Sequence, residues 1–153
     1  ITIITVRLSG NYGPSIRYNM GDKFWIYNLI KNAVEYNSIK FETVQTRYLP
    51  WTYAKDTADC LVQIAYSTSE PKMPVYNCAY HTLNGLHQML DALNELIPNL
   101  NVEINNIQEV GWKFPYDVSR IQSDFNYTFK YDIKEAFTDY IEWMNQNIDY
   151  NHK

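Results

Sequence analysis

Glycine is scarce in this chain. Only five occur in 153 residues, and none forms a GxGxxG turn or a P-loop, so the sequence carries neither glycine-rich phosphate cradle. No serine elbow of the GxSxG kind is present. The two cysteines, Cys60 and Cys78, fall in no CxxC or metal-ligand spacing. Both lie among apolar residues and read as buried thiols of a reducing compartment. His81 and His87 are six apart and share no helix face, which excludes a metal site there. No apolar run approaches the length of a membrane span, and the charged and apolar regions of a signal peptide are missing. The reading is a cytoplasmic protein with no membrane partner. The net charge of -4 argues against a nucleic-acid partner, which needs a basic surface to release counterions.

Tyrosine is abundant, with fourteen residues, and the excess reads as coding bias rather than as an aromatic binding surface. The hydrophobic content of 46% and the length suffice for one domain with a real core. Ile1–Leu8 opens the chain as a buried β-rich run, and the turn residues of 9–14 break it. That opening leads to the expectation of a piece cut from a longer protein. A helix is predicted from Lys23 to Glu35 and strands at 41–46 and 52–54. Asp56 is placed as the N-cap of a helix whose buried face is Ala58, Leu61, Val62 and Ala65. A strand at 75–78 follows, then a helix from Leu83 to Ile97 ended by Pro98. An alternating strand spans 101–107. Asp117 caps a short helix carrying Ile121, and Asp132 with Glu135 forms a capping box for a last helix. The order of strands and helices makes the fold α/β or α+β.

The pattern Tyr-x-x-x-Lys occurs at Tyr27/Lys31 and at Tyr36/Lys40. On one helix such a pair could lower the tyrosine pKa for proton transfer. Tyr27 lies on the apolar face and Tyr36 at the expected helix end, so both pairs read as structural.

Four segments, in order, carry a resemblance. Residues 5–14 (TVRLSGNYGP) are similar to the strand and loop that follow the catalytic helix in extended short-chain dehydrogenases. Residues 46–58 (TRYLPWTYAKDTA) resemble the later segment of that family with an Arg, a hydrophobic residue and an Asp followed by Ala. Val75–Asn77 with Leu83 and Leu86 resemble its next strand and helix. Asp117–Arg120, Phe125–Tyr127 and Tyr131–Ile133 resemble its closing stretch. The chain thus resembles the C-terminal portion of the NAD-dependent epimerase/dehydratase family.

The resemblance implies an α/β fold: the C-terminal strands of a Rossmann-type sheet plus a small α+β substrate-binding lobe. Residues 1–153 would form the substrate-binding portion. An N-terminal Rossmann domain, absent from this chain, would bind NAD or NADP and carry the catalytic Tyr–Lys pair. No catalytic residue is expected here, and the piece alone is expected to be inactive and to self-associate. Leu8 and Ser9 would lie near the nicotinamide. Asn11, Tyr12 and Lys23 would border the substrate cleft, and Arg47 would contact a nucleotide diphosphate, the alternative being a solvated strand-edge charge. Arg120 would approach the nucleotide or, as the preferred reading, pair with Asp117 or Asp124. The expected partner is a small-molecule substrate, a nucleotide sugar, in a homo-oligomer. Two departures point elsewhere. Gly10 stands where many nucleotide-sugar enzymes have a ligand-binding Asn, and residues 112–115 (WKFP) replace a basic motif. Both features are similar to short-chain L-threonine dehydrogenases, which are the first alternative. A non-catalytic binding module is the second.

Overall fold

The computed structural model describes residues 3–14 and 25–147. Its strands form three parallel pairs. Strand β1 (Thr5–Leu8) pairs with β5 (Val75–Cys78), in register Thr5 to Val75 and Leu8 to Cys78. The two-residue strands β2 (Asn11–Tyr12) and β4 (Thr52–Tyr53) pair where the chain leaves β1. The long strands β3 (Ser38–Tyr48) and β6 (Asn101–Gly111) form the third pair, from Ser38 opposite Asn101 to Tyr48 opposite Gly111. Parallel pairing needs long crossovers, and helices supply them: α1 (Trp25–Tyr36), α2 (Ala54–Tyr66), α3 (Leu86–Leu96), α4 (Ser119–Phe125) and α5 (Ile133–Gln146).

Two apolar cores result. The larger joins α1, α3 and α5 to β3 and to Tyr12 and Tyr53, with Leu29, Ile30, Ile39, Leu86, Leu93 and Phe137 fully enclosed. The smaller lies between the β1–β5 pair, α2 and α4, around Cys60, Tyr76, Cys78 and Ile121. The two cysteines are buried and free there. The Cys60 thiol shares a hydrogen bond with Cys78, and together with burial this pushes Cys60 up.

Several sequence expectations are corrected by the structure. β1 is not a buried strand: β5 lies along one side of it, and Ile3 and Leu8 are exposed. Asp56 is not an N-cap. Helix α2 starts at Ala54, three residues earlier than expected, and its N-cap, Tyr53, makes no side-chain capping bond. Asp56 sits in the first turn, fully buried, and its carboxylate accepts the backbone N–H groups of Lys130 at 2.8 Å and Tyr131 at 3.1 Å. It thereby clamps the loop between α4 and α5 onto α2. Burial raises its carboxyl above the ordinary value against the pull of those donors. The buried face of α2 is Asp56, Thr57 and Cys60, so the predicted face of Ala58, Leu61, Val62 and Ala65 points outward. α3 begins at Leu86 because Asn84 is held in a bridge to Leu49. β3 and β6 run to Tyr48 and Gly111, beyond the alternating segments.

Other expectations hold. Asp132 caps α5 by accepting from the Glu135 N–H at 2.8 Å, and Glu135 answers by accepting from the Asp132 N–H at 2.9 Å. Tyr36 and Lys40 share no helix, since Tyr36 ends α1 and Lys40 lies in β3, paired with Glu103 at 3.1 Å. Tyr27 is buried in the large core.

Candidate functional site

Parallel strands place functional loops beyond their carboxyl ends. In this chain the ends of β1 and β3 meet there. The chain leaves β1 through Ser9 and Gly10, and it leaves β3 through Leu49, Pro50 and Trp51. The Thr52 N–H donates to the Gly10 carbonyl at 2.9 Å and ties the two exits together. Between them and the start of α1 lies a groove of about 990 Å³, lined among others by Gly10, Trp25, Thr43, Gln45, Arg47 and Trp51.

The wall is built from the strand outward. β3 alternates, so Thr43, Gln45 and Arg47 share one exposed side while Val44 and Thr46 turn inward. Arg47 is exposed, and among the described residues its guanidinium has no carboxylate partner. Among the described residues the groove lining includes no acidic residue. Beside Arg47, Gln45 donates to Gln108 of β6 at 3.2 Å. Trp51 is fixed at both ends: its indole N–H donates to the Arg47 carbonyl at 2.8 Å, and its ring covers Gly10. A Cβ on residue 10 would lie 2.7 Å from that ring. Gly10 is therefore required by Trp51, and the volume that an asparagine would take there is occupied. The Trp51 ring meets Trp25 edge to face, with centroids 5.9 Å apart at 79°.

The sequence-derived candidates fall into three groups. Arg47 lines the groove. Leu8 and Ser9 lie at the end of β1, Leu8 exposed and the Ser9 N–H bonded to the Cys78 carbonyl. Asn11 and Tyr12 turn away from the groove: Asn11 accepts from Thr57 at 2.8 Å, and the Tyr12 ring is buried edge-on to Phe137. Arg120 is on the surface of α4, outside the groove lining. It makes no contact-distance salt bridge with Asp117 or Asp124, although its charge adds a smaller pull on Asp117, which is held low mainly by Ser119; Asp124 is held low mainly by its bond from Tyr76, with Lys72 at 3.2 Å. Lys23 lies outside the described residues. Sequence reasoning missed Trp25 and Trp51 as groove residues. A signal was there for Trp51, which sits four residues after Arg47 in the same segment.

A second polar cluster lies on the opposite side of β4. Tyr53 and Lys55 both donate to Asp139 of α5, Lys55 at 2.6 Å. Burial alone would raise the Asp139 carboxyl, but these two donors outweigh it and hold it below its usual range. The groups tie α2 to α5 and enter no cavity described here. Among the described residues no cluster of His, Cys, Asp and Glu could hold a metal ion, and no helix is long and apolar enough to cross a membrane.

No family model and no curated protein matches the sequence. Solved structures do match. The Clostridium difficile L-threonine dehydrogenase superposes with a TM-score of 0.77 at 15% identity, over 95% of this chain and 47% of that one. The Helicobacter pylori ADP-L-glycero-D-manno-heptose-6-epimerase gives 0.72 at 19% identity, over 93% and 43%. The UDP-glucuronic acid 4-epimerase of Bacillus cereus, in complex with UDP-glucuronic acid and NAD, gives 0.70 at 18% identity, over 95% and 46%.

The chain has the fold of the C-terminal portion of extended short-chain dehydrogenases. It spans less than half the length of these neighbours. The neighbours are an epimerase pair and a dehydrogenase, so the architecture is shared by enzymes of different net reaction.

Proposed function

We propose that this chain is the substrate-binding portion of an NAD(P)-dependent epimerase or dehydratase acting on a nucleotide sugar. One observation carries the reading: among the described residues, Arg47 has no carboxylate partner and lines a large groove with no acidic wall. A guanidinium in that position offers a planar fork of donors to paired phosphate oxygens. The groove is also at the upper end of the range for small-molecule sites, roughly 300–1,000 Å³, large enough for a nucleotide-linked ligand. The remaining portion of the protein would supply the Rossmann half, most of the NAD or NADP site and the Tyr–Lys pair. Leu8 and Ser9 would then face the nicotinamide from the end of β1. The exposed side of β1 and the apolar outer face of α2 would lie against that half. Titrating UDP-glucose into the intact protein tests the reading; it predicts binding that weakens at least tenfold in Arg47→Ala, and unchanged affinity contradicts it.

A second reading has its own observation. Trp51 fills the space beside Gly10, which suits a smaller, unphosphorylated substrate and a dehydrogenase reaction. NADH formation by the intact protein from L-threonine, with no binding of nucleotide sugars, would establish it in place of the first.

A further inference from the structure

The groove has a direction. Its end at Gly10 and Trp51 is the exit of β1, where the cofactor would sit in the proposed enzyme, so the reacting part of a ligand belongs there. Arg47 comes next, and Gln45 lies one step farther back on the same exposed side of β3. Two residues along a strand advance by about 6.6 Å, on the order of the step across one ribose from a phosphate to its base. Gln45 does not stand alone at that point. It pairs in register with Gln108 of β6, and both side chains are exposed and line the groove. The Gln45 amide donates to the Gln108 carbonyl oxygen at 3.2 Å. One bond between two amides uses one donor and one acceptor. Whichever way the amides are turned, a carbonyl on one and an NH2 on the other remain open to a ligand. Among the described residues neither of these groups has another partner.

We infer that Gln45 and Gln108 form the subsite for the base of the nucleotide, with the diphosphate on Arg47 and the sugar beyond it toward Gly10 and Trp51. This rests on the nucleotide-sugar reading above and adds to it the orientation of the ligand and the residues that hold its base. Chemistry separates the two stations along β3. A diphosphate presents only acceptors and negative charge, which the Arg47 guanidinium answers. The edge of a base carries donors and acceptors side by side, and the neutral amide couple answers with one of each. The faces of a base need apolar contact, and Phe41 of β3 and Val110 of β6 are apolar members of the same lining. The two glutamines are then specificity-determining residues, set by the register of β3 on β6.

The test compares UDP with pyrophosphate, which keeps the two phosphates and has no base. Calorimetry on the intact protein gives the UDP affinity, and displacement of UDP gives that of pyrophosphate. Gln45→Leu and Gln108→Leu each break the couple at an exposed position outside both cores. Each should weaken UDP by roughly three- to tenfold, about what one neutral hydrogen bond contributes, and leave pyrophosphate within about twofold. Arg47→Ala should weaken both ligands. Equal losses for UDP and pyrophosphate in the glutamine variants, or no loss of UDP in either, overturns the inference and leaves the nucleotide-sugar reading in place. A wild type that binds pyrophosphate as tightly as UDP also overturns it, since the base then contributes nothing. If the wild type binds neither UDP nor UDP-glucose, the nucleotide-sugar reading falls and the inference falls with it.

Discussion

Single residues in this chain do work that their sequence neighbourhood conceals. Asp56 has the look of a helix cap, but it holds two backbone N–H groups of another segment in a buried site. Asp56→Ala leaves both donors without an acceptor and should cost about 2–4 kcal/mol in a denaturant melt; a change comparable to that of an exposed aspartate would refute the clamp. Gly10 is equally specific. Gly10→Asn drives a side chain into the Trp51 ring and should destabilise by about 1–3 kcal/mol, and the loss should shrink when Trp51→Ala is added. Asp139 sets a pH dependence. Its folded carboxyl is held low by Lys55 and Tyr53, so its stabilisation is complete above the unfolded pKa of about 3.9 and is lost as pH falls through the lower folded value. Acid should therefore lower the melting temperature less in Asp139→Asn than in the wild type, and identical pH profiles would show that the carboxylate contributes nothing.

At the scale of elements, the capping box of α5 was legible in the sequence because its logic is local: Asp132 and Glu135 need only each other's backbone. Asp132→Ala should lower stability by about 1 kcal/mol, read from the thermal midpoint. The helix around Leu86 and Leu93 and the alternation of Val102 and Ile104 in β6 were legible for the same reason, since period and burial agree there. Helix α2 shows where that logic ends. Its apolar stripe of Ala58, Leu61, Val62 and Ala65 has helical spacing, yet Val62 is 56% exposed and Tyr66 84%. The opposite side of the helix, with Cys60, packs on β5 and α4 instead. Periodicity marks a face that is apolar; it does not say which surface meets it. The contact between Trp25 and Trp51 was hidden for a related reason. Trp25 and Trp51 lie far apart in sequence and converge only through the fold, whereas Arg47 could be placed from the segment around it.

At the scale of the whole molecule, the proposed enzyme would account for these exposed surfaces. Structural neighbours carry more than twice the length that this chain matches, and β1 and α2 present the surfaces that a Rossmann half would bury in the proposed enzyme. Among the described residues the groove is lined by β3, its exit loop, α1, β6 and Gly10, so the anion site proposed for Arg47 would lie within this portion. In the proposed enzyme the reaction would belong to the assembled protein, where the cofactor would meet the substrate beyond the end of β1. The most direct measurement is therefore the affinity of the intact protein for UDP-glucose, compared with its Arg47→Ala variant under the same conditions. A loss of at least tenfold is the result expected if Arg47 receives the diphosphate. An unchanged affinity, or no binding by the wild type, would contradict the assignment of this groove to a nucleotide sugar.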